Sequence, residues 1–435
     1  MSRTSRAIRA LYDQQPEREW ERMERHRTEF AVTMRALAEH LPPSPARVLD
    51  CGGGPGRYAI ELARRGYEVT LFDLSTGCLR LAREKASESG VTLAAYEQGT
   101  ATDLSRFPDA SFDAILLMGP LYHLLDEAER RQAVAEGHRV LKPGGILFAA
   151  FISRYATLRW AAANEPTWPL EYPELAETIL STGILPPRGE SDAEFVAHFA
   201  HPTDVVPLCQ RVGFEIVTIL GVEGLVSMIE DGVNALSGQA WDAWGNLNYL
   251  VAADPSIHGC AEHLLVIAFK PLWRAVLRQI AQRLNEAGVA YKVVGGTAAA
   301  LHVVPLLVRD LDLETDAEGA YRFQTLFADH VVEPAVLSED EAYRSHFGRF
   351  DFDGVAVEVM GDLHRREAGH WVPTAATTET TVDLDGVPVP VSWLEEETLA
   401  YIRRGRLDRA AQCLAHCDPD RLLALLRGEK AGGVL

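Results

Sequence analysis

The chain has 435 residues, 47% apolar and 24% charged, a globular composition too long for one hydrophobic core, so two domains are expected. Its 42 basic and 62 acidic side chains leave a net charge of −20. Polyphosphate binding draws its affinity from clustered Lys and Arg, so nucleic acid is disfavoured as a partner and a small-molecule substrate is expected. The imbalance is general, since the residues from 272 onward hold 17 basic and 26 acidic side chains. No apolar run is long enough to cross a bilayer, so no membrane association is expected. The first residues lack the apolar stretch of a secretory signal. The six cysteines are scattered rather than arranged as a disulfide framework, which suits a reducing, cytoplasmic setting.

In chain order, an amphipathic N-terminal segment carries Leu11, Tyr12 and Asp13, then Trp20 and Arg25. From Ala46 to Phe151 short apolar runs alternate with amphipathic stretches: RVLDCGG, YAIELARRG, YEVTLFDLS, CLRLAREKASESG, VTLAAYEQG, DAILLMG, AERRQAVAEGHRVL and GGILFAAFIS. That alternation predicts parallel β/α units in a doubly wound sheet, with a turn at Lys142-Pro143-Gly144-Gly145 before the fifth strand. An irregular stretch after Ser153, with Trp160, Trp168, Tyr172 and Phe195, reads as a cap inserted over the sheet edge. A helix at HPTDVVPLCQRVG and strands at FEIVTILGVEG and HLLVIAFK complete a first domain over 1–271.

A second domain over 272–435 opens with the amphipathic helix LWRAVLRQIAQRLNEAG, ended by Gly288. A strand into a glycine pair (YKVVGG), a carboxylate-rich strand (VRDLDLETD), a helix (YRFQTLFADH), two paired strands (FGRFDFDGVAVEVMG) and terminal helices predict a smaller α+β fold. Cys413, His416 and Cys417 share helical spacing, but no second ligand pair accompanies them, so they read as helix thiols rather than a zinc site.

Chemistry concentrates first at Asp50-Cys51-Gly52-Gly53-Gly54-Pro55-Gly56, between a strand and a helix. Glycines there let backbone pass beneath a ligand where any Cβ would collide. Seventeen residues beyond Gly56 the second strand ends at Asp73, where a carboxylate can accept from ribose hydroxyls. A dinucleotide would satisfy the same logic, except for Asp50. A carboxylate ending the first strand faces a cationic methionine portion comfortably but repels a pyrophosphate at the helix N-terminus.

DCGGGPG, the acidic end of LFDLS, the strand DAILLMG and the turn in RVLKPGG together resemble the class I S-adenosylmethionine-dependent methyltransferases over about residues 10–270. The resemblance implies a Rossmann-like α/β sheet binding S-adenosyl-L-methionine. By position, Asp50, Gly52, Gly53 and Gly54 would serve the methionine moiety, Asp73 the ribose, Leu74 the adenine face, and Thr100 and Ala101 the adenine rim. Thr100 stands where the family often has Asp, with Asp103 or a backbone amide as the alternative. Met118 to His123 follow the fourth strand, where acceptor meets cofactor. Tyr122 and His123 are candidates for orienting or deprotonating the acceptor; capping the next helix or satisfying a buried carbonyl is the competing role for His123. Tyr12 lies in what resembles a lid helix over the cofactor, or packs there as an ordinary amphipathic face.

In the second domain Asp310 and Asp312 alternate onto one strand face, fourteen residues and more beyond Gly296. With Glu358 they could hold magnesium ions for a nucleoside triphosphate. VVGGT, DLD and Glu358 resemble the nucleotidyltransferase superfamily over about 272–425, with Thr297 where serine is usual and Glu358 where Asp is usual. Arg403, Arg404 and Arg406 depart from its lysine pattern. The function expected is methyl transfer to a metabolite or antibiotic-like molecule, with a second domain that is either an active nucleotidyltransferase or a silent binding module. Methylation of RNA or protein is the remaining alternative.

Overall fold

The computed structural model describes residues 3–187, 193–304, 306, 308–374 and 379–427. Residues 188–192 of the expected cap therefore lie outside the described residues. The chain divides into two compact units, Met1–Lys270 and Pro271–Leu435.

In the first unit, strands β1 (Arg47–Cys51), β2 (Glu68–Asp73), β3 (Ala95–Gln98), β4 (Phe112–Leu117), β5 (Leu141–Ser153), β6 (Ile184–Leu185), β7 (Ala197–Ala200), β8 (Glu215–Gly221) and β9 (His263–Phe269) form one sheet. β3-β2-β1-β4-β5 run parallel, and β9 then pairs antiparallel with both β5 and β8. The short β7 and β6 extend the C-terminal end of β5. Both faces are covered. Leu49, Ile115, Leu147 and Val266 enter one apolar cluster. Their immediate neighbours Val48, Leu116, Phe148 and Ile267 enter the other. This is the period-2 alternation of a sheet buried on both sides, and it explains why its strands read as continuous apolar runs. The expected KPGG turn is instead the irregular start of β5, with Gly144 at φ 78° and a register shift between Phe112 and Ala114.

Three helices precede the sheet: Arg3–Gln14, Pro16–Arg25 and Arg27–His40. The first is fixed by Asp13. Its carboxylate accepts from Gly77 N at 2.8 Å and from Ser75 Oγ at 2.7 Å, at the start of the helix Thr76–Glu88. A Cβ on Gly77 would stand 3.0 Å from the Asp13 carbonyl oxygen, so the close approach of lid and sheet depends on glycine there.

In the second unit the helix Leu272–Ala287 ends at Gly288 in the left-handed conformation, φ 61°. Its apolar stripe, with Leu277, Ile280 and Leu284, packs on β10 (Lys292–Val294), β11 (Asp310–Thr315), β12 (Val331–Glu339), β13 (Tyr343–Phe352), β14 (Val355–Glu367), β15 (His370–Pro373), β16 (Glu379–Leu384) and β17 (Val387–Ser392). The sheet order is β12-β13-β14-β11-β10-β17-β16, with β15 beside β14. The expected pair in FGRFDFDGVAVEVMG is the antiparallel β13/β14 ladder. β12, β16 and β17 enlarge the sheet beyond it. Helices Leu394–Arg403, Leu407–Leu414 and Pro419–Leu426 follow. Among the described residues no helix is long and apolar enough to cross a membrane.

Leu49 is fully buried in the centre of the first sheet. Leu49→Ala should lower the unfolding free energy of the first unit by about 2–5 kcal/mol, the transfer and cavity cost of a core Leu→Ala change. Urea unfolding followed by tryptophan fluorescence measures it; an unchanged midpoint would contradict this packing.

Candidate functional site

The parallel strands β1, β2 and β4 end on one edge of the sheet, and their following turns bound a cleft of about 560 Å³. β1 leads into the glycine turn, where Gly52, Gly54 and Gly56 all have positive φ. Crowding as well as conformation requires glycine here. A Cβ on Gly52 would sit 2.4 Å from Pro120 Cδ, and one on Gly119 2.5 Å from the Gly52 carbonyl oxygen. The turns after β1 and β4 are thus in backbone contact, which only residues lacking a Cβ allow.

Of the residues singled out in the sequence, Tyr12, Gly52, Asp73, Leu74, Thr100, Ala101 and His123 line this one cleft. Asp50, Gly53, Gly54, Met118 and Tyr122 do not. Asp50 is buried below the turn, where a Cβ on Gly53 would stand 2.3 Å from its Oδ2. Gly54 turns its amide to Asp73 Oδ2 at 2.8 Å. Met118 lines a smaller cavity with Glu29, Tyr58 and His263. Tyr122, read in the sequence as an acceptor-side group, donates its hydroxyl to the Met118 carbonyl at 3.3 Å and sets its ring edge-on to His123. Ser5, Ile8, Phe72, Gly99 and Leu124 complete the lining. Ser5 and Ile8 precede Tyr12 by seven and four residues on the lid helix, so helical periodicity carried that signal.

The cleft is rich in displaced titrations. Burial raises Asp50 to about 7, helped by the Asp73 charge, and Asp50 Oδ2 has no hydrogen-bond partner. Burial also raises Asp73 to about 6, although it accepts from the Ser75 and Gly54 amides. His123 is buried, and burial lowers it to about 4, so its ring is neutral. Its Nδ1 lies 2.8 Å from the Val196 carbonyl and must carry the hydrogen. Nε2 is then the acceptor, and the Tyr12 hydroxyl donates to it at 2.9 Å. His123 thus satisfies a buried carbonyl with one nitrogen and holds Tyr12, a lining residue of the cleft, with the other.

In the second unit Asp312 lies in register beside Glu358 on parallel β11 and β14, and Asp310 beside Ala356. Burial raises Asp312 to about 7, with Asp310 and Glu358 adding to it. Gly295, at φ 68°, leaves no room for a Cβ, which would stand 2.3 Å from Asp312 Oδ2. The three carboxylates do not converge as closely as expected. Glu358 accepts from Arg349 Nε at 2.9 Å, and the three are absent from the groups of ligand atoms within 4.8 Å of one another among the described residues. Thr297 donates to the Asp310 carbonyl at 2.8 Å, a backbone-fixing role. Glu397, not singled out in the sequence, is buried beside Ser392 and raised by that burial to about 7. Its only signal was a run of three glutamates opening a helix.

Because His123 stays neutral in the fold, the unfolded chain takes up its proton first as pH falls. This residue should therefore cost stability progressively between pH 6.5 and about pH 4 and be silent above. An NMR titration of its ring should show a midpoint below pH 5; a midpoint near 6.5 would mean that the ring is solvated.

Residues 48–145 match the family described as methyltransferase domain, and residues 276–412 the family described as aminoglycoside-2''-adenylyltransferase. A ubiquinone biosynthesis O-methyltransferase from Paracidovorax citrulli is 32% identical over 182 residues, 42% of this chain and 68% of that protein. A demethylmenaquinone methyltransferase from Deinococcus radiodurans is 41% identical over 114 residues, 26% of this chain and 45% of that protein. The chain spans about half the length of further curated relatives it matches. A Thermotoga maritima protein assigned as a nucleotidyltransferase, of known structure, is 34% identical, covering 36% of this chain and 94% of that one with a TM-score of 0.30.

Proposed function

Because the chain belongs to the class I S-adenosylmethionine-dependent methyltransferases, we propose that its first unit methylates a small molecule, with the cofactor in the cleft between the glycine turn and Tyr12. The observation that carries this reading is the meeting of Gly52, Asp73 and the Tyr12–His123 pair around one cleft. The residues fit the cofactor. Asp50 holds a buried carboxylate oxygen without a hydrogen-bond partner, a charge suited to a cationic ligand above it, and the turn keeps its floor free of Cβ atoms.

When bound, the cofactor supplies an electrophilic methyl group. The protein then needs to hold and orient rather than to activate. Gly52 gives close backbone approach to the methionine portion, with Gly53 and Gly54 keeping the turn tight against Asp50 and Asp73. Asp73 accepts from the ribose, while Leu74, Thr100 and Ala101 border the adenine. The Tyr12 oxygen, held by His123, accepts a hydrogen bond from an acceptor hydroxyl and aligns it. His123 is too strongly desolvated to be a good proton store, so its part is to fix Tyr12. The relatives named as a ubiquinone biosynthesis O-methyltransferase and a demethylmenaquinone methyltransferase, and Phe195 set edge-on to His123, support an apolar or aromatic acceptor; Trp160, Trp168 and Tyr172 of the expected cap do not line the cleft. The net charge of −20 disfavours RNA. All six cysteines are free, which supports a cytoplasmic enzyme.

Asp73→Ala should weaken cofactor binding about 10- to 100-fold, the worth of one or two hydrogen bonds to a charged group. In the wild type, affinity should rise as pH rises from 5 to 7, because ribose hydroxyls favour ionised Asp73; Asp73→Asn should flatten that rise. Calorimetry with the methyl-depleted cofactor product reads both, and unaltered affinity in Asp73→Ala would remove the cofactor from this cleft. A methyl-transfer screen with labelled cofactor over metabolite pools then finds the acceptor.

For the second unit the reading is nucleotide transfer, which makes the chain bifunctional. Asp310 and Asp312, with Glu358 beside them, crowd negative charge onto one strand edge, a donor set suited to Mg²⁺ carrying a nucleoside triphosphate. The full chain should bind ATP only with Mg²⁺, and Asp312→Asn should lower that affinity at least tenfold. Failure of the wild type to bind ATP, GTP, CTP or UTP would make this unit a silent binding module.

A further inference from the structure

At the base of the lid the first unit holds two adjoining buried polar groups, Glu29/Glu223/His263 and His26/Glu230/Glu262. In each, the potential ligand atoms lie within 4.8 Å of one another. They differ in how their charges are met. Arg22 forks onto Glu29 at 2.7 and 2.8 Å. Glu223 accepts from the amides of Glu262 and His263 at 3.1 and 2.8 Å and from His263 Nδ1 at 2.6 Å. Burial pushes Glu29 up, yet Arg22 and His263 outweigh it and hold Glu29 at about 2. That group is balanced by its own side chains.

The second group is met only in part, by Glu230 raising the His26 imidazole. Glu230 is 8% exposed, and both its carboxylate oxygens are buried without a hydrogen bond. His26 Nδ1 is likewise buried and unbonded, and lies 3.8 Å from Glu230 Oε2, too far for a hydrogen bond. Glu262 completes the group. Burial and the neighbouring Glu223 raise it to about 7, and burial raises Glu230 as well. Two carboxylates facing one imaginable cation are expensive when buried without it.

The three residues come from three segments whose backbones are already fixed. His26 breaks the lid between the helices Pro16–Arg25 and Arg27–His40. Glu230 opens the helix Glu230–Asn234, and Glu262 precedes β9, its amide held by Glu223. Asn234 Nδ2 donates to the Arg25 carbonyl at 2.6 Å and Arg27 Nη1 to the Leu236 carbonyl at 3.1 Å, so the lid joint and the segment beyond Glu230 are stitched on either side of the gap.

We propose that His26, Glu230 and Glu262 form a binding site for a divalent transition ion of the Zn²⁺ or Mn²⁺ class. One imidazole nitrogen and two carboxylates are a donor set for such ions, and a neutral imidazole with two carboxylates leaves the loaded site without net charge. The imidazole disfavours Mg²⁺ and Ca²⁺, which take oxygen ligands. His26 and Glu262 are only partly buried, so an ion has a way in and water can fill a remaining coordination position. The ion clasps the lid joint to the segment entering β9.

The test uses the full chain stripped with a chelator and titrated with Zn²⁺ and Mn²⁺, with bound metal counted after dialysis. Asp312→Asn serves as the background, so that ions held by the second unit do not contribute. In that background one equivalent should bind, and Glu230→Gln, Glu262→Gln or His26→Gln should each lower its affinity at least tenfold. The ion should raise the thermal midpoint of the Asp312→Asn chain but not that of the Glu230→Gln double variant. Loading with Co²⁺ should give visible d–d bands that the same substitutions remove. No bound equivalent, or binding and bands unchanged in all three variants, would overturn the site; the two carboxylates would then share a proton instead.

Discussion

The backbone contact between the turns after β1 and β4 is the constraint on which the first unit's chemistry depends. The Gly52 carbonyl lies so close to Gly119 that a side chain on either would force the strand ends apart. Parallel pairing of β1 with β4 fixes that proximity through Val48↔Ala114 and Asp50↔Leu116, and the strands are held by apolar layers on both faces. The cleft is therefore a consequence of strand packing, with its floor made of backbone and its polar groups supplied by strand ends.

A preformed cleft of this kind stores unfavourable electrostatics. Asp50 and Asp73 are both raised by burial; the Asp73 charge adds to Asp50, and Glu19 and Asp13 add to Asp73. Among the described residues, the first helix presents Ser5, Ile8 and Tyr12 to this cleft. Arg22, on the helix Pro16–Arg25, is paired with Glu19 and Glu29. On the proposed reading, the same carboxylates that weaken the ligand-free fold would favour a cationic cofactor.

How much of this was legible in the sequence differs by unit. The succession of parallel β/α units, the glycine turn and Asp73 were readable because parallel strands buried on both faces give continuous apolar runs, and because backbone contact demands glycine wherever it occurs. Tyr122 does not line the cleft that its neighbour His123 lines, and the sequence could not separate the two. Sequence places it one residue from His123 in a tight 3₁₀ turn, Pro120–Tyr122, but only the turn's hand decides which ring faces the cleft. The Tyr12–His123 bond spans 111 positions and has no local signature at all. In the second unit, β12 and β16 escaped because exposed strands such as Val331–Glu339 bury few residues and resemble loops in composition; β17 is well buried, but its two prolines argue against a strand in sequence.

The second unit shows how pairing register rather than motif decides an acidic site. Asp312 and Glu358 are neighbours only because β11 and β14 run parallel with Asp310 opposite Ala356; a slip of one residue would put the carboxylates on opposite faces. The same ladder brings Arg349 opposite Glu358 on the antiparallel side, where it binds that carboxylate and, at 3.2 Å, Glu333. Glu358 is thereby paired with an arginine, while Asp312 has burial, Asp310, Glu358 and the buried Glu397 against it, relieved by Arg404. The unsatisfied charge of this sheet edge is centred on Asp312 rather than shared among three carboxylates, so a cation arriving there would be drawn first to the Asp310–Asp312 strand, with Glu358 reached only by displacing an arginine.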